Sequence, residues 1–178
     1  LTGSRSVFAH CVHLEDDEWN CLHKTNSAIA FCPTSNLFLG SGLFPLKTTW
    51  DKQVKVGLGT DIGAGTSFNQ LQTIQEAYKV QQLQGNKLSA FEALYHATLG
   101  GANALDLADK LGNFNIGKEA DFVVLDLKPT ALQQLRQSKA RSLEDSLFAL
   151  MMMGDDRNIH CTYVYGQCVY VKASTSTQ

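Results

Sequence analysis

The sequence has little of several features that would place a protein in a special class. Only 3 of its 178 residues are proline, which excludes a collagen-like or proline-rich disordered chain. The 15 lysines and arginines nearly balance the 17 aspartates and glutamates, giving a formal charge of -2. No charge excess therefore points to a nucleic-acid partner. Because no apolar run reaches the ~18 residues of a bilayer span, we expect no membrane partner either.

The start of the chain has no features of a signal peptide. Leu1 takes the place of an initiator methionine, and a strand-like run at residues 6–10 follows at once. We therefore expect a cytoplasmic protein whose first residue lies inside a fold. The cysteines also have no paired spacing of the zinc-ribbon or thioredoxin kind. We expect buried, reduced thiols, with a metal or redox role left open for Cys11 and Cys21.

The first two thirds of the chain contain three apolar runs, at residues 6–10, 28–32 and 54–59. A polar turn and a helical pattern follow each run, which is typical of consecutive βα units in a parallel sheet. Strands buried on both faces also explain why the runs do not alternate with polar residues. Helices are predicted at residues 15–26, 46–52, 68–83, 89–99 and 143–153, the first of them started by Asp16 or Asp17. The small residues at 100–104 are interpreted as the start of another helix.

The last third has a different pattern. An apolar run covers residues 122–126, and two more, at 160–165 and 167–171, are joined at Gly166. This spacing predicts a β-hairpin with glycine in the turn. We therefore expect antiparallel strands here, ending in a frayed polar tail at 173–178.

Candidate functional residues stand at the ends of the three predicted parallel strands. His10 ends the first strand, residues 32–36 end the second, and Asp61 ends the third. Functional groups of βα units collect at these carboxyl ends. An imidazole and a carboxylate there can hold a divalent metal, or act as a general acid and base on a bound water. The structural alternatives are a core histidine for His10 and a helix N-cap for Asp61.

Other polar groups are interpreted structurally. The glycines between residues 57 and 65 do not form a phosphate-binding pattern, so we expect them to allow close backbone approach and an unusual turn around Asp61. His96 is interpreted as a packing residue, and no role is assigned to His13 or His23. In the 154–158 loop, Arg157 is expected to form a structural pair with Asp155 or Asp156.

Four ordered segments, residues 8–14, 30–37, 57–61 and 117–123, resemble the C-terminal part of a metal-dependent amidohydrolase. Residues 35–43 and 154–159 are most similar to the guanine deaminase family. Chlorohydrolases and adenosine-type deaminases share much of the pattern and remain alternatives. The resemblance covers about residues 5–171. It implies an α/β fold: the last three βα units of a TIM barrel at 1–115, then strands of a small β-sandwich, with a returning helix and the polar tail, at 116–178.

The resemblance also implies a chemistry, the zinc-dependent hydrolysis of a purine, guanine, to xanthine and ammonia. In the family, zinc is held by a His-x-His pair, a fifth-strand histidine and an eighth-strand aspartate. Asp61 matches that aspartate, which is a metal ligand and also moves the proton of the attacking water. His10 matches the sixth-strand histidine, which orients water or substrate. The ligand type leaves zinc or iron open.

The sequence departs from the family pattern at the other ligands. It contains no His-x-His, since two residues separate His10 from His13. The fifth-strand histidine and its nearby glutamate would precede Leu1. A catalytic zinc needs about three protein ligands, and only Asp61 and at most His10 are counted here. We therefore expect a deaminase portion that binds metal poorly and is inactive alone. The non-enzymatic alternative is a remnant that forms homodimers through unpaired strand edges.

Overall fold

The computed structural model describes residues 2–173, and within that range strands and helices alternate before the chain turns to antiparallel strands. The strands are β1 (Val7–Ala9), β2 (Ala28–Phe31), β3 (Lys55–Leu58), β4 (Phe122–Leu125), β5 (Ile159–Val164) and β6 (Gln167–Val171). The helices are α1 (Asp16–Lys24), α2 (Pro33–Phe38), α3 (Leu46–Asp51), α4 (Gln70–Leu83), α5 (Ala90–Ala97), α6 (Leu99–Ala104), α7 (Ala131–Gln137) and α8 (Leu143–Met153), with a short 3-10 turn at Asp156–Asn158. Of the predicted tail at 173–178, residues 174–178 lie outside the described residues.

The first sheet is parallel, in the order β1-β2-β3. Ala28 of the central strand pairs with Val7 on one side and Lys55 on the other. Ile29 and Phe31 of that strand are fully buried, as expected for a strand covered on both faces. The predicted parallel βα units and the α/β class are thus confirmed. Within residues 2–173 no closed barrel forms.

Helix starts follow local capping chemistry. Ser89 caps α5: its hydroxyl accepts from the Glu92 backbone, and the Glu92 carboxylate accepts from the Ser89 backbone, as a capping box requires. Helix α1 spans Asp16–Lys24, and its N-cap is Glu15 rather than the predicted Asp16 or Asp17. The backbone N–H of Glu15 donates to Glu18 Oε2 at 2.8 Å.

The core lies between the parallel sheet and helices α4, α5 and α8. Ile74, Ala77 and Val80 on α4 are buried in the same cluster as Val56 on β3. Leu150 and Met151 of α8 complete that cluster. A helix from the last third of the chain therefore contributes to the core of the first two thirds, and the predicted division at residue 115 stays a prediction.

The second sheet is antiparallel, in the order β4-β5-β6. Its hairpin turns at Tyr165 and Gly166, both with positive φ (54° and 73°), the backbone of a tight two-residue turn. The predicted antiparallel hairpin is thus confirmed. Among the described residues, no helix has the length and apolar character needed to cross a membrane.

Candidate metal centre

The candidate site forms where the three parallel strands end. The backbone N–H of His10, just past β1, donates to Ala30 O at 3.0 Å. The N–H of Gly59, just past β3, donates to Phe31 O at 2.9 Å. These bonds continue the sheet pairing beyond the named strands. They hold the segments carrying His10 and Asp61 on either side of the segment that carries Cys32.

The backbone is strained at both predicted site residues. The φ angles of His10, Cys11 and Asp61 are 70°, 49° and 48°, in the left-handed region that residues with a side chain seldom adopt. Such a conformation costs on the order of 1–3 kcal/mol per residue, and such residues cluster at functional sites. The tertiary fold therefore holds these side chains in place against their local preference.

The turn after Asp61 depends on Gly65. The Gly65 N–H donates to the Asp61 carbonyl at 2.5 Å. A Cβ at position 65 would lie 1.8 Å from the carbonyl oxygen of Thr60, so no other residue fits without moving the turn. This is the close backbone approach predicted for the glycine-rich segment.

Three potential metal donors converge at these strand ends. His10 Nε2 lies 3.7 Å from Asp61 Oδ2, and one donor atom from each of His10, Cys32 and Asp61 lies within 4.8 Å of the others. The His10 and Asp61 side chains are 42% and 35% exposed, whereas Cys32 is 3% exposed. The structure thus brings together the two predicted residues and adds a buried sulfur beneath them.

Asn36 sets the orientation of the His10 ring. Its side-chain Oδ1 lies 2.8 Å from His10 Nδ1. An amide oxygen only accepts hydrogen bonds, so Nδ1 is the ring nitrogen that bonds Asn36, and Nε2 is the ring nitrogen that faces Asp61. Asn36 is 1% exposed. Its Nδ2 and the Ser35 hydroxyl are buried without a hydrogen-bond partner among the described residues.

The thiols near the site are neutral at physiological pH. Burial, and then the charge of Asp61, raises the pKa of Cys32 to about 11. Burial, and then the charge of Glu18, raises the pKa of Cys11 to about 11 as well. All five cysteines are free, as expected, but the expected burial is wrong for Cys21 and Cys168, which are exposed. Both lie at the surface of their elements, where a reduced thiol needs no burial.

The other singled-out groups lie outside this cluster. His96 is buried, with Nδ1 3.2 Å from Val56 O, and desolvation lowers its pKa, so its packing role is confirmed. His13 and His23 contact backbone carbonyls. Arg157 pairs with Asp155, with 2.5 Å between Nη2 and Oδ2. That hydrogen bond is the main cause of the lowered pKa of Asp155.

The donor set fits a zinc ion. Zinc takes imidazole nitrogen, thiolate sulfur and carboxylate oxygen, and catalytic zinc sites use three protein ligands. Here one donor of each type stands within 4.8 Å of the other two. The sequence placed Cys32 in the strand-end segment 32–36 but assigned it no metal-ligand role, because its partners lie on other strand ends and no spacing along the chain marks it.

Comparisons with known proteins identify the family of the chain. The sequence model of the amidohydrolase family matches residues 1–169. Guanine deaminase of Escherichia coli (strain K12) is 65% identical over 96% of this chain and 39% of its own length. Probable guanine deaminase of Deinococcus radiodurans is 40% identical over 97% of this chain and 40% of its own length. The chain thus spans about two fifths of these relatives.

Solved structures share the fold. E. coli guanine deaminase matches with a TM-score of 0.96 at 64% identity, over 97% of this chain and 40% of that one. An adenosine deaminase from Xanthomonas campestris with bound zinc gives 0.81 at 25% identity, over 96% and 38%. Guanine deaminase from C. acetobutylicum with guanine in its active site gives 0.79 at 32% identity, over 92% and 39%. With the family model matching nearly its whole length, the chain belongs to the amidohydrolase family.

Proposed function

We propose that this chain is the C-terminal portion of a zinc-dependent guanine deaminase, which converts guanine and water to xanthine and ammonia. The observation that carries the proposal is the placement of His10 Nε2 3.7 Å from Asp61 Oδ2 at the ends of parallel strands. The relatives at 65% and 40% identity carry the names guanine deaminase and probable guanine deaminase, which supports guanine over other substrates.

In this proposal Asp61 is a metal ligand and a catalytic residue, and His10 is a catalytic residue that touches water or substrate. When bound, zinc makes a water molecule a better nucleophile at neutral pH. As the water oxygen bonds to the ring carbon that bears the amino group, Asp61 would take a proton from that water and pass it to the amino nitrogen. The carbon–nitrogen bond would then break, and the nitrogen would leave as ammonia. His10 Nε2, which faces Asp61, would hydrogen-bond the water or the substrate and so orient the reacting groups.

The proposed architecture rests on the same similarity to guanine deaminases. Residues 1–115 would supply the last three βα units of a TIM barrel, and 116–178 would supply strands of a β-sandwich. The His-x-His pair and the fifth-strand histidine are not in this sequence, so the chain alone would be inactive. A cytoplasmic location belongs to the proposal as well.

The test measures ammonia release from guanine. A full-length protein containing this chain, loaded with zinc, should release ammonia from guanine, and the 178-residue chain should release none. Adenosine and a chlorinated triazine serve as competing substrates. A zinc-loaded full-length protein that hydrolyses either of these and ignores guanine would move the assignment to another amidohydrolase.

We further propose that the isolated chain forms a homodimer. Strand β1 lies at the edge of the parallel sheet, and Val7 and Phe8 are 37% and 38% exposed. An uncovered edge strand invites pairing with a second copy. Light scattering should give the mass of a dimer, and a monomer that persists at high concentration would contradict the proposal.

A further inference from the structure

We propose that Cys32 is a positioning residue, whose sulfur holds the backbone of His10 and so fixes where His10 Nε2 stands relative to Asp61. The inference rests on the proposed function, because the reaction that it serves is the one proposed for His10 and Asp61. In this role Cys32 touches neither water nor substrate, and it is not one of the metal ligands.

The first support is a closed set of hydrogen bonds between the ends of β1 and β2. The backbone N–H of His10 donates to Ala30 O at 3.0 Å and also to Cys32 Sγ, which makes it a three-centre hydrogen bond. The Cys32 thiol in turn donates to Ala30 O at 3.5 Å. The sulfur is therefore engaged as acceptor and as donor, and its contacts assign it to the His10 backbone.

The second support is the strained backbone that this sulfur contacts. The φ of His10 is 70°, a conformation that costs on the order of 1–3 kcal/mol and persists only where the surroundings over-determine it. Asn36 Oδ1 holds the ring at Nδ1, 2.8 Å away, but this bond does not fix the backbone. Cys32 supplies the backbone contact, so the segment that follows β2 holds His10 at two points.

The third support is the confinement of the sulfur. Cys32 is 3% exposed, and a Cβ on Gly59 would lie 3.1 Å from its Sγ, so the sulfur fills its space closely. It also lies within 4.8 Å of a donor atom of His10 and of Asp61. A shift of this buried atom would therefore move the His10 backbone and change the separation of the two reacting side chains.

The first experiment measures guanine turnover and bound zinc in the zinc-loaded, full-length protein. Cys32→Ala removes both hydrogen bonds of the sulfur and should lower kcat by about 10–100-fold, the effect of a small misplacement, with KM unchanged. Cys32→Ser keeps a donor and an acceptor and should restore most of the lost turnover. Cys161→Ala removes another buried sulfur and is the matched control that should keep kcat. Zinc content should be the same in all four proteins.

The second experiment does not depend on the reaction. In the 178-residue chain, NMR should show that Cys32→Ala moves the amide proton of His10 to lower frequency and speeds its hydrogen exchange, because one acceptor is lost. Cys161→Ala should leave both unchanged.

Several results would overturn the inference: an unchanged His10 amide in Cys32→Ala, an unchanged kcat, a serine variant no better than alanine, or a loss of zinc that accompanies the loss of turnover. If the full-length protein releases no ammonia from guanine, the proposed function fails, and the amide signal still decides whether the sulfur holds His10. If the amide is unchanged while guanine is deaminated, the inference fails and the proposed function stands.

Discussion

Two acid–base pairs of side chains are held in opposite ways in this molecule. Asp155 and Arg157 are two residues apart, and Arg157 donates to both carboxylate oxygens at 2.5–3.1 Å. His10 and Asp61 come from different strand ends and stop 3.7 Å apart, too far for a hydrogen bond. In the first pair, which we call the closed pair, Arg157 and Asp155 are hydrogen-bonded directly to each other. In the second pair, which we call the open pair, His10 Nε2 and the Asp61 carboxylate face each other without a direct hydrogen bond.

The backbone differs in the same way. Asp155 and Arg157 belong to a short capped turn in which the Arg157 N–H donates to Asp155 Oδ1, so local geometry favours the pair. His10 and Asp61 sit at positive φ and are held by the surrounding fold. A closed pair contributes to the structure of a loop, whereas an open pair under strain is typical of a functional site.

Replacing Asp61 breaks the open pair and has the largest expected effect. In the full-length protein, Asp61→Asn should lower guanine turnover by about 10²–10⁴-fold, the range for loss of a general acid or base. The control is Asp155→Asn, which alters the closed pair and should leave turnover nearly unchanged. Equal losses in the two variants would show that the open pair has no special role in the reaction.

Substituting Gly65 tests whether the backbone turn after Asp61 holds the open pair in place. In Gly65→Ala the new Cβ meets the Thr60 carbonyl, so the turn carrying Asp61 must shift. We expect a loss of about 1–3 kcal/mol in the free energy of unfolding, as for other overpacked sites, measured by urea denaturation. Gly3→Ala is the control, because a Cβ there meets nothing within 4 Å. A stable Gly65→Ala chain would mean that the turn is not tightly held.

Substituting Asn36 tests whether its side chain orients the His10 ring. Asn36→Ala removes the acceptor of the His10 Nδ1 proton, so the ring should become a mixture of tautomers, visible in its ¹⁵N NMR shifts. Stability should fall by about 1 kcal/mol, the usual value of one hydrogen bond. Ser35→Ala removes a buried hydroxyl that has no hydrogen-bond partner within residues 2–173, and it should leave the tautomer unchanged. A single Nδ1–H tautomer in Asn36→Ala would contradict the orienting role.

Replacing Asp155 in the closed pair should have the smallest effect on the free energy of unfolding, and that effect should depend on pH. The hydrogen bond from Arg157 lowers the pKa of Asp155, so the folded state favours the carboxylate and gains stability above about pH 4. That gain disappears as pH falls through the lowered pKa. Asp155→Asn should therefore cost up to about 1 kcal/mol at neutral pH and progressively less in acid, followed by urea denaturation. A cost that does not shrink on acidification would contradict the pairing.

Much of the fold could be predicted from local sequence. The apolar runs gave all six strands, and the predicted helix at 143–153 has the bounds of α8. Two helices were missed. Pro33 was read as the end of a strand, but proline also suits the first position of a helix, and it starts α2. Helix α7 begins after Thr130 in a stretch rich in glutamine and basic residues, where little apolar periodicity marks a helix.

The sequence by itself determined the strands, the capped helices and the presence of His10 and Asp61 at strand ends, because those features depend on neighbours along the chain. Only the tertiary structure decided the 3.7 Å separation of the pair, the strained backbone under it and the buried sulfur of Cys32 beside it. Parallel pairing brings the ends of distant strands to one edge, and no interval in the sequence records which side chains meet there.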